Sequence, residues 1–178
     1  MIEILRIFLS LGTILGLALL AGCGRELPPS CRDTMISTDT GRFQFLETGI
    51  AFDPEFGIDW YRCSVGERFL NGRCMGNALV QRWEDSVDTL DAMNEKADSR
   101  WRLPTLEELS SLRVEDCGNP SVNINVFPSI QVENYWASDE SPHYGFRCGM
   151  YTYSGATSCR LFDNLERPFL MVRAGRAE

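Results

Sequence analysis

The segment Trp101-Arg102-Leu103-Pro104-Thr105-Leu106-Glu107-Glu108-Leu109 decides how the centre of this chain folds. Thr105 and Glu108 have the spacing of a capping box, in which the threonine hydroxyl accepts from an early helix amide and the glutamate reaches back to the cap amide. Pro104 lies just outside the cap, and acidic residues in the first turn suit the helix dipole. The segment therefore predicts a helix that starts at Thr105, with Leu109 on its buried side.

The residues just before this helix are expected to be scaffold. Trp101 and Leu103 are predicted to lie buried beside the helices, and Pro104 to fix the backbone ahead of the cap. Arg102 is predicted to hold a loop or backbone carbonyls through its guanidinium donors. A ligand-binding role for Arg102 is the alternative.

A longer helix is predicted over residues Trp83 to Ala97. Trp83, Val87, Leu90 and Met93 recur at helical spacing and share one face. The other face is acidic, with Glu84, Asp85, Asp88, Asp91 and Glu95. Such a stripe is typical of a solvated helix face, and a calcium or partner surface is the alternative.

Strand patterns occur on both sides of the two helices. Phe43 and Phe45 alternate with polar neighbours, which predicts a first strand. Residues 53–57 have the composition of a turn, and residues 58–61 are predicted to return as the second strand of a hairpin. Later strands are expected within residues 122–127, 135–137, 145–153 and 167–173. The pattern as a whole predicts an α+β domain.

The first 22 residues have the pattern of an export signal. Residues 7–20 are apolar apart from Ser10 and Thr13, a length of about 14 residues, whereas a transmembrane helix needs roughly 20. The run Leu20-Ala21-Gly22-Cys23 resembles the lipobox of bacterial lipoproteins, in which the cysteine becomes the lipidated first residue. A lipidated Cys23 is a strong anchor, since each buried methylene contributes ~0.8 kcal/mol. An ordinary signal peptide cut nearby is the alternative.

The residues after Cys23 predict the location and the domain layout. By resemblance to lipoprotein sorting, Gly24 in place of an aspartate indicates the outer membrane. Residues 23–41 contain two adjacent prolines and few large apolar side chains, which predicts a lipidated start and a flexible tether. The folded domain is predicted over residues 42–178, a length that suits one core.

The composition limits the possible functions. The chain has 17 basic and 25 acidic residues, a net charge of −8, which argues against nucleic acid, and against anionic lipid as the main partner. His143 is the only histidine and Lys96 the only lysine, so Ser-His-Asp triads, multi-histidine zinc sites and Schiff-base chemistry lack their parts. No metal and no cofactor are predicted.

Six cysteines follow Cys23, and in an exported chain an even number predicts disulfides. They are Cys31, Cys63, Cys74, Cys117, Cys148 and Cys159. Cys63 with Cys74, and Cys148 with Cys159, enclose short glycine-containing segments, so these two local pairings are favoured. Zinc binding and a redox-active pair are the alternatives, although the chain has no C-x-x-C motif.

Several motifs in order resemble the Lcl C-terminal domain family. They are residues 57–66, the Trp101–Thr105 run with Glu108 and Leu109, residues 117–120, 122–123 and 127–128, residues 135–138, and Val172-Arg173. The resemblance covers residues 43–175. It implies a compact α+β fold similar to C-type lectins and formylglycine-generating enzymes, with a twisted antiparallel sheet, two helices and long loops held by disulfides.

The resemblance implies a ligand surface on the irregular loops. The candidate residues mix aromatic and charged side chains, as recognition surfaces do; they are Tyr135, Trp136, Asp139, Glu140, His143, Tyr144 and Arg147. The alternative is that Trp136 is buried and the charges are merely solvated. The chain lacks the Glu-Pro-Asn calcium motif of lectins, and no cysteine pair stands out as the copper site of the enzyme relatives.

Three functions are therefore considered. The leading hypothesis is a non-enzymatic, lipid-anchored envelope domain that binds a protein or a glycan, with a protein preferred because the chain is acidic. The second is a structural accessory subunit of an envelope secretion or appendage complex. The third is an oxidoreductase that uses a cysteine pair.

Overall fold

The computed structural model describes residues 28–97, 99–140, 145–161 and 164–175. Local sequence patterns specify most of its elements. In chain order they are α1 (Cys31–Thr34), β1 (Gln44–Glu47), β2 (Ile50–Asp53), β3 (Ile58–Tyr61), β4 (Arg68–Leu70), β5 (Arg73–Met75), α2 (Trp83–Ala97), α3 (Leu106–Ser110), β6 (Asn134–Glu140), β7 (Phe146–Tyr151), β8 (Ala156–Leu161) and β9 (Val172–Ala174).

Both predicted helices are confirmed. Helix α2 has the predicted bounds and buries Leu90. Helix α3 has the capping box: Glu108 N donates to Thr105 Oγ1 over 3.1 Å, and Thr105 N donates to Glu108 Oε2 over 2.7 Å. Asn94 connects helix α2 to the segment that precedes α3, because its amide group donates to Trp101 O and accepts from Trp101 N.

The mixed α+β class is confirmed, and the strands form three antiparallel sheets. Their orders are β1-β2-β3-β9, β4-β5 and β6-β7-β8. The predicted turn at residues 53–57 and the returning strand at 58–61 are confirmed, and Asp53 pairs with Ile58 across the turn. The strand before this turn is β2, whereas Phe45 of the predicted first strand lies in β1, one strand earlier. The similarity to C-type lectins stays a prediction.

The strand predicted over residues 122–127 is wrong. This segment forms turns, with one isolated bridge between Arg113 and Val122. The cause lies in its asparagines: Asn123 accepts from Asn125 N through its side chain, a local bond that competes with strand pairing. Val126 and Phe127 are still buried, so the apolar pattern indicated burial rather than a strand.

Residues 28–41, which fall within the predicted tether, lie against the domain. Cys31 is fully buried and bonded to Cys117. Cys31 N donates to Gly118 O over 2.9 Å, and the Arg32 guanidinium donates to Ile130 O over 2.9 Å. A buried disulfide and these bonds fix the segment, so packed structure extends N-terminal to residue 42. The rest of the predicted tether, Cys23 and the signal segment lie outside the described residues.

Disulfides hold the loops as predicted. The bonds are Cys31–Cys117, Cys63–Cys74 and Cys148–Cys159, and the last two are the favoured local pairings. A Glu67 carboxylate oxygen lies within 4.8 Å of the sulfurs of Cys63 and Cys74. Both sulfurs are bonded to each other, and Glu67 accepts from Ser64 N and Ser129 Oγ.

Two apolar clusters lie on opposite sides of strand β6. One includes Trp60, Phe127 and Tyr135, and the other includes Leu90 and Trp136. Neighbouring residues of a strand point to opposite faces, so Tyr135 enters the first cluster and Trp136 the second.

Among the helices of the described ranges, none is long and apolar enough to cross a bilayer.

Candidate functional site

A groove of about 210 Å³ lies between helix α2 and the segment that leads into α3. We call it the tryptophan groove. It is lined by Trp83, Val87, Leu90, Asp91, Trp101, Arg102, Leu103 and Ser138. Leu90 and Leu103 are almost fully buried, so the groove has an apolar base, and its charged groups lie at the rim.

The two indoles of the groove are held by specific contacts. Trp83 is the first residue of α2, and its Nε1 donates to Ala137 O over 2.7 Å. Trp101 is fixed through its backbone by Asn94, and its ring meets the ring of Tyr61 edge-on at 6.4 Å. The Arg173 guanidinium lies 4.7 Å from the Trp101 ring centre. Both rings are therefore positioned before any ligand arrives.

The positive charge of Arg102 is compensated within the protein. Its guanidinium donates to both carboxylate oxygens of Glu108, over 2.8 and 2.7 Å, and to Leu103 O. The hydrogen bond that the Arg102 guanidinium donates to Glu108 raises the pKa of Arg102. Arg102 was expected to hold a loop or backbone carbonyls; it does contact Leu103 O, but its main partner is Glu108, whose carboxylate also accepts from the Thr105 amide.

Glu108 remains ionised in this setting despite its burial. Burial alone raises the pKa of the carboxyl group, but the hydrogen bonds from Arg102 and from the Thr105 amide outweigh it and hold the pKa below its ordinary value. The Arg102–Glu108 pair is thus close to neutral overall.

A second guanidinium beside the groove is also compensated. Arg147 lies 4.3 Å from the centre of the Trp83 ring, on strand β7. Its terminal nitrogens pair with Glu84 at 3.0 Å and with Glu140 at 3.4 Å. Stacking on Trp83 and two carboxylates therefore account for this charge.

Asp91 differs from these groups. It is exposed and lines the groove. Within the described ranges no arginine or lysine lies within 4.0 Å of its carboxylate. Arg173, which lies beside Trp101, pairs with Asp59 at 3.0 Å and with Glu47 at 3.5 Å. Because Arg102, Arg147 and Arg173 are compensated, the rim of the groove carries a net negative charge beside two aromatic faces.

Tyr135 and Trp136, predicted as part of a binding surface, are buried in the core, with no exposed area. Tyr135 Oη lies 3.0 Å from Ser64 Oγ and accepts from Gln131 N, and burial raises its pKa. Trp136 Nε1 donates to Gln81 O over 2.8 Å. The prediction was wrong for both because strand β6 is covered on both faces.

The charged members of the predicted surface have separate roles. Asp139 is half-buried and accepts from Leu106 N at the start of α3, so it helps to cap that helix. Glu140 and Arg147 form the ion pair beside Trp83. His143 and Tyr144 lie outside the described residues. The structure thus brings Glu140 and Arg147, but not the two aromatics, to the edge of the groove.

Trp83 and Asp91 were not predicted as site residues. The sequence pattern assigns Asp91 to the acidic stripe of α2 and Trp83 to its apolar face. The spacing nevertheless indicates that the two share a face, because Trp83, Val87, Leu90 and Asp91 follow the i, i+4, i+7, i+8 pattern of a single helix face. Asp91 is therefore the acidic residue that falls within the apolar stripe.

Comparison with known families supports the resemblance found in the motifs. Residues 49–173 match the family described as Lcl C-terminal domain. The chain belongs to this family. The match to the Lcl C-terminal domain includes every residue that lines the tryptophan groove. Among curated proteins, a search finds no match. The family description names no activity, so the function has to be argued from the site.

Proposed function

We propose that this member of the Lcl C-terminal domain family is a non-catalytic domain of the bacterial cell envelope, anchored by lipid at Cys23, that binds a protein partner. In this proposal the tryptophan groove accepts one arginine or lysine side chain of that partner. The observation that carries the proposal is the carboxylate of Asp91, which has no basic partner among the described residues and lies at the rim of a groove lined by Trp83 and Trp101.

The chemistry of the groove favours a cationic side chain. A guanidinium or ammonium over an indole face gains about 0.5–2 kcal/mol, and Asp91 offers it an ion pair. Arginine is also enriched among the residues that dominate protein interfaces. Arg102, Arg147 and Arg173 do not oppose this, because carboxylates already compensate all three.

The size of the groove supports a single side chain as its occupant. Pockets for drug-sized ligands and cofactors usually measure about 300–1,000 Å³, and this one measures about 210 Å³. Its lining is mostly indole and aliphatic carbon. These features support recognition of a side chain on a larger partner rather than turnover of a free substrate.

The envelope location is proposed from the N-terminal sequence and the cysteines. The lipobox-like run ends at Cys23, and the six later cysteines pair in three disulfides. Disulfides persist in oxidising compartments such as the periplasm and the cell surface. Membrane attachment through the lipid, on the outer membrane, fits both features.

A cysteine-pair oxidoreductase is the second candidate, and one observation favours it. Cys159 is exposed, whereas its partner Cys148 is buried. An accessible sulfur is open to attack by an external thiolate. Counting free thiols in the exported protein tests this candidate, since a fully oxidised, reductant-resistant protein contradicts it.

The main proposal is tested by comparing Asp91→Asn with Asp88→Asn, a matched change at an exposed acid of the same helix that does not line the groove. Each protein is used to capture partners from envelope extracts and is applied to a glycan array. We expect one protein to be retained by the wild type and by D88N, and about tenfold less by D91N, equivalent to about 1.4 kcal/mol. Equal retention by D91N, or binding to glycans alone, contradicts the proposal.

A further inference from the structure

We propose that the β4–β5 hairpin docks on an anionic phospholipid surface. The docking face consists of Arg68, Leu70, Arg73 and Met75, and we call it the hairpin face. The inference rests on the proposed lipid anchor, which keeps the domain at a bilayer.

The register of the hairpin brings these four side chains together. Arg68 pairs with Met75, and Leu70 pairs with Arg73. Directly paired residues in an antiparallel ladder point to the same face. All four residues are exposed, and Leu70 and Met75 retain 53% and 55% of their accessible area.

The opposite face of the hairpin fixes it to the domain. Phe69 and Cys74 alternate with the exposed residues and are half-buried. Cys74 is bonded to Cys63, and the Phe69 ring lies 4.5 Å from the guanidinium of Arg62. The hairpin face is therefore presented on a rigid support.

The tip of the hairpin is also well defined. Asn71 and Gly72 have φ values of 51° and 80°. Two consecutive residues with positive φ are the pattern of a type I′ turn, for which Asn-Gly is a strongly preferred sequence.

The local charge of the hairpin region is positive, opposite in sign to the net charge of the whole chain. The chain has a net charge of −8, yet no aspartate or glutamate occurs between Glu67 and Glu84. In the described part of the chain, neither Arg68 nor Arg73 has an acidic partner within 4.0 Å. The net charge of the chain argues against anionic lipid as its main partner, but the hairpin face is locally cationic.

A bilayer surface matches this combination of side chains. Exposed apolar side chains enter the boundary between headgroups and acyl chains, while arginines remain among anionic headgroups. Each basic residue near such a surface contributes about fivefold in binding. Pro28 comes five positions after Cys23, a distance of at most about 18 Å. A lipidated Cys23 therefore holds the domain close enough to the bilayer for weak docking to matter.

The test places a fluorescent probe on the hairpin face. The full chain, processed by cells and purified, carries either Leu70→Trp or, as a matched control, Leu161→Trp on the exposed strand β8. Each protein is incorporated into vesicles of brominated phosphatidylglycerol and phosphatidylethanolamine, or of brominated phosphatidylcholine alone, and quenching of tryptophan fluorescence is measured. A second pair adds Arg68→Gln and Arg73→Gln to each probe.

We expect bromine to quench L70W but not L161W, and to do so only in vesicles that contain phosphatidylglycerol. Loss of both arginines lowers the ratio of docked to undocked hairpin about 25-fold, the product of two fivefold contributions. Equal quenching of the two probes, or equal quenching in vesicles with and without phosphatidylglycerol, overturns the proposal. So does an L70W probe that is shielded by a protein partner instead of lipid.

The experiment distinguishes failure of the proposed lipid anchor from failure of the proposed docking face. Mass spectrometry of the same sample reports whether Cys23 carries lipid. An unlipidated protein whose L70W probe is still quenched by added anionic vesicles contradicts the anchor and supports the hairpin face. A lipidated protein without quenching contradicts the hairpin face and leaves the anchor in place.

Discussion

Glu108 shows how much of this fold depends on one side chain. Its carboxylate pairs with Arg102, accepts from the Thr105 amide and completes the cap of α3. Both partners, Arg102 and Thr105, lie within six residues of Glu108 in sequence, which is why the cap could be predicted from the spacing of Thr105 and Glu108. The lack of a basic partner for Asp91 among the described residues could not, because it also depends on Glu84, which pairs with Arg147 from 63 residues away.

The first prediction concerns the pH dependence of the Glu108 contribution. Because the folded-state pKa lies below the unfolded value of about 4.3, ionised Glu108 stabilises the fold fully above that pH. The contribution is lost as the pH falls through the folded-state pKa. We expect Glu108→Gln to lower the free energy of unfolding by about 1–3 kcal/mol at pH 7, and by progressively less in acid.

The measurement is urea unfolding of wild type, E108Q and the control Glu107→Gln between pH 7 and pH 3. Glu107 is an exposed neighbour of Glu108 on the same helix. A loss of stability in E108Q that does not shrink towards pH 3, or that E107Q reproduces, contradicts the account.

At the scale of elements, local patterns predicted the helices better than the strands. Helix α2 follows from its apolar period, and the β2–β3 hairpin from its turn. The β4–β5 hairpin was interpreted only as a glycine-containing loop, although Asn71-Gly72 is a hairpin signal. Residues 122–127 were predicted as a strand because apolar burial outweighed the turn tendency of their asparagines.

The second prediction concerns the order in which the disulfides are reduced. Cys159 lies on strand β8 and is exposed, while Cys31 and Cys117 are buried. Since a thiolate must reach a sulfur to attack it, we expect mild reductant to open Cys148–Cys159 before Cys31–Cys117. Alkylation at increasing reductant concentration, followed by peptide mass analysis, measures the order. Earlier labelling of Cys31 and Cys117 contradicts the prediction.

At the scale of the whole molecule, Cys31–Cys117 connects the N-terminal segment to the far end of the helical region. The two cysteines are 86 residues apart, whereas Cys63 and Cys74 are 11 apart. A pairing of that range is not visible in local sequence. This is why residues 28–41 were expected to form a tether although they pack on the domain.

The third prediction follows from the same difference in loop length. Restricting the unfolded chain contributes about 4.5 kcal/mol for the long loop and about 3 kcal/mol for the short one. We therefore expect Cys31→Ala with Cys117→Ala to lower the free energy of unfolding by more than Cys63→Ala with Cys74→Ala does. Equilibrium denaturation of both variants measures this, and an equal or reversed order contradicts it.

The most direct test of the tryptophan groove uses two of the four tryptophans of the chain as probes and the other two as internal controls. Trp83 and Trp101 line the groove, whereas Trp60 and Trp136 are fully buried and do not line it. Indole N–H resonances are followed by NMR while the protein is titrated with glycyl-arginyl-glycine amide or with its glutamate counterpart. The account predicts that the arginine peptide shifts the signals of Trp83 and Trp101 alone, and that D91N abolishes the shift. Unchanged Trp83 and Trp101 signals, or an equal response to the glutamate peptide, would contradict it.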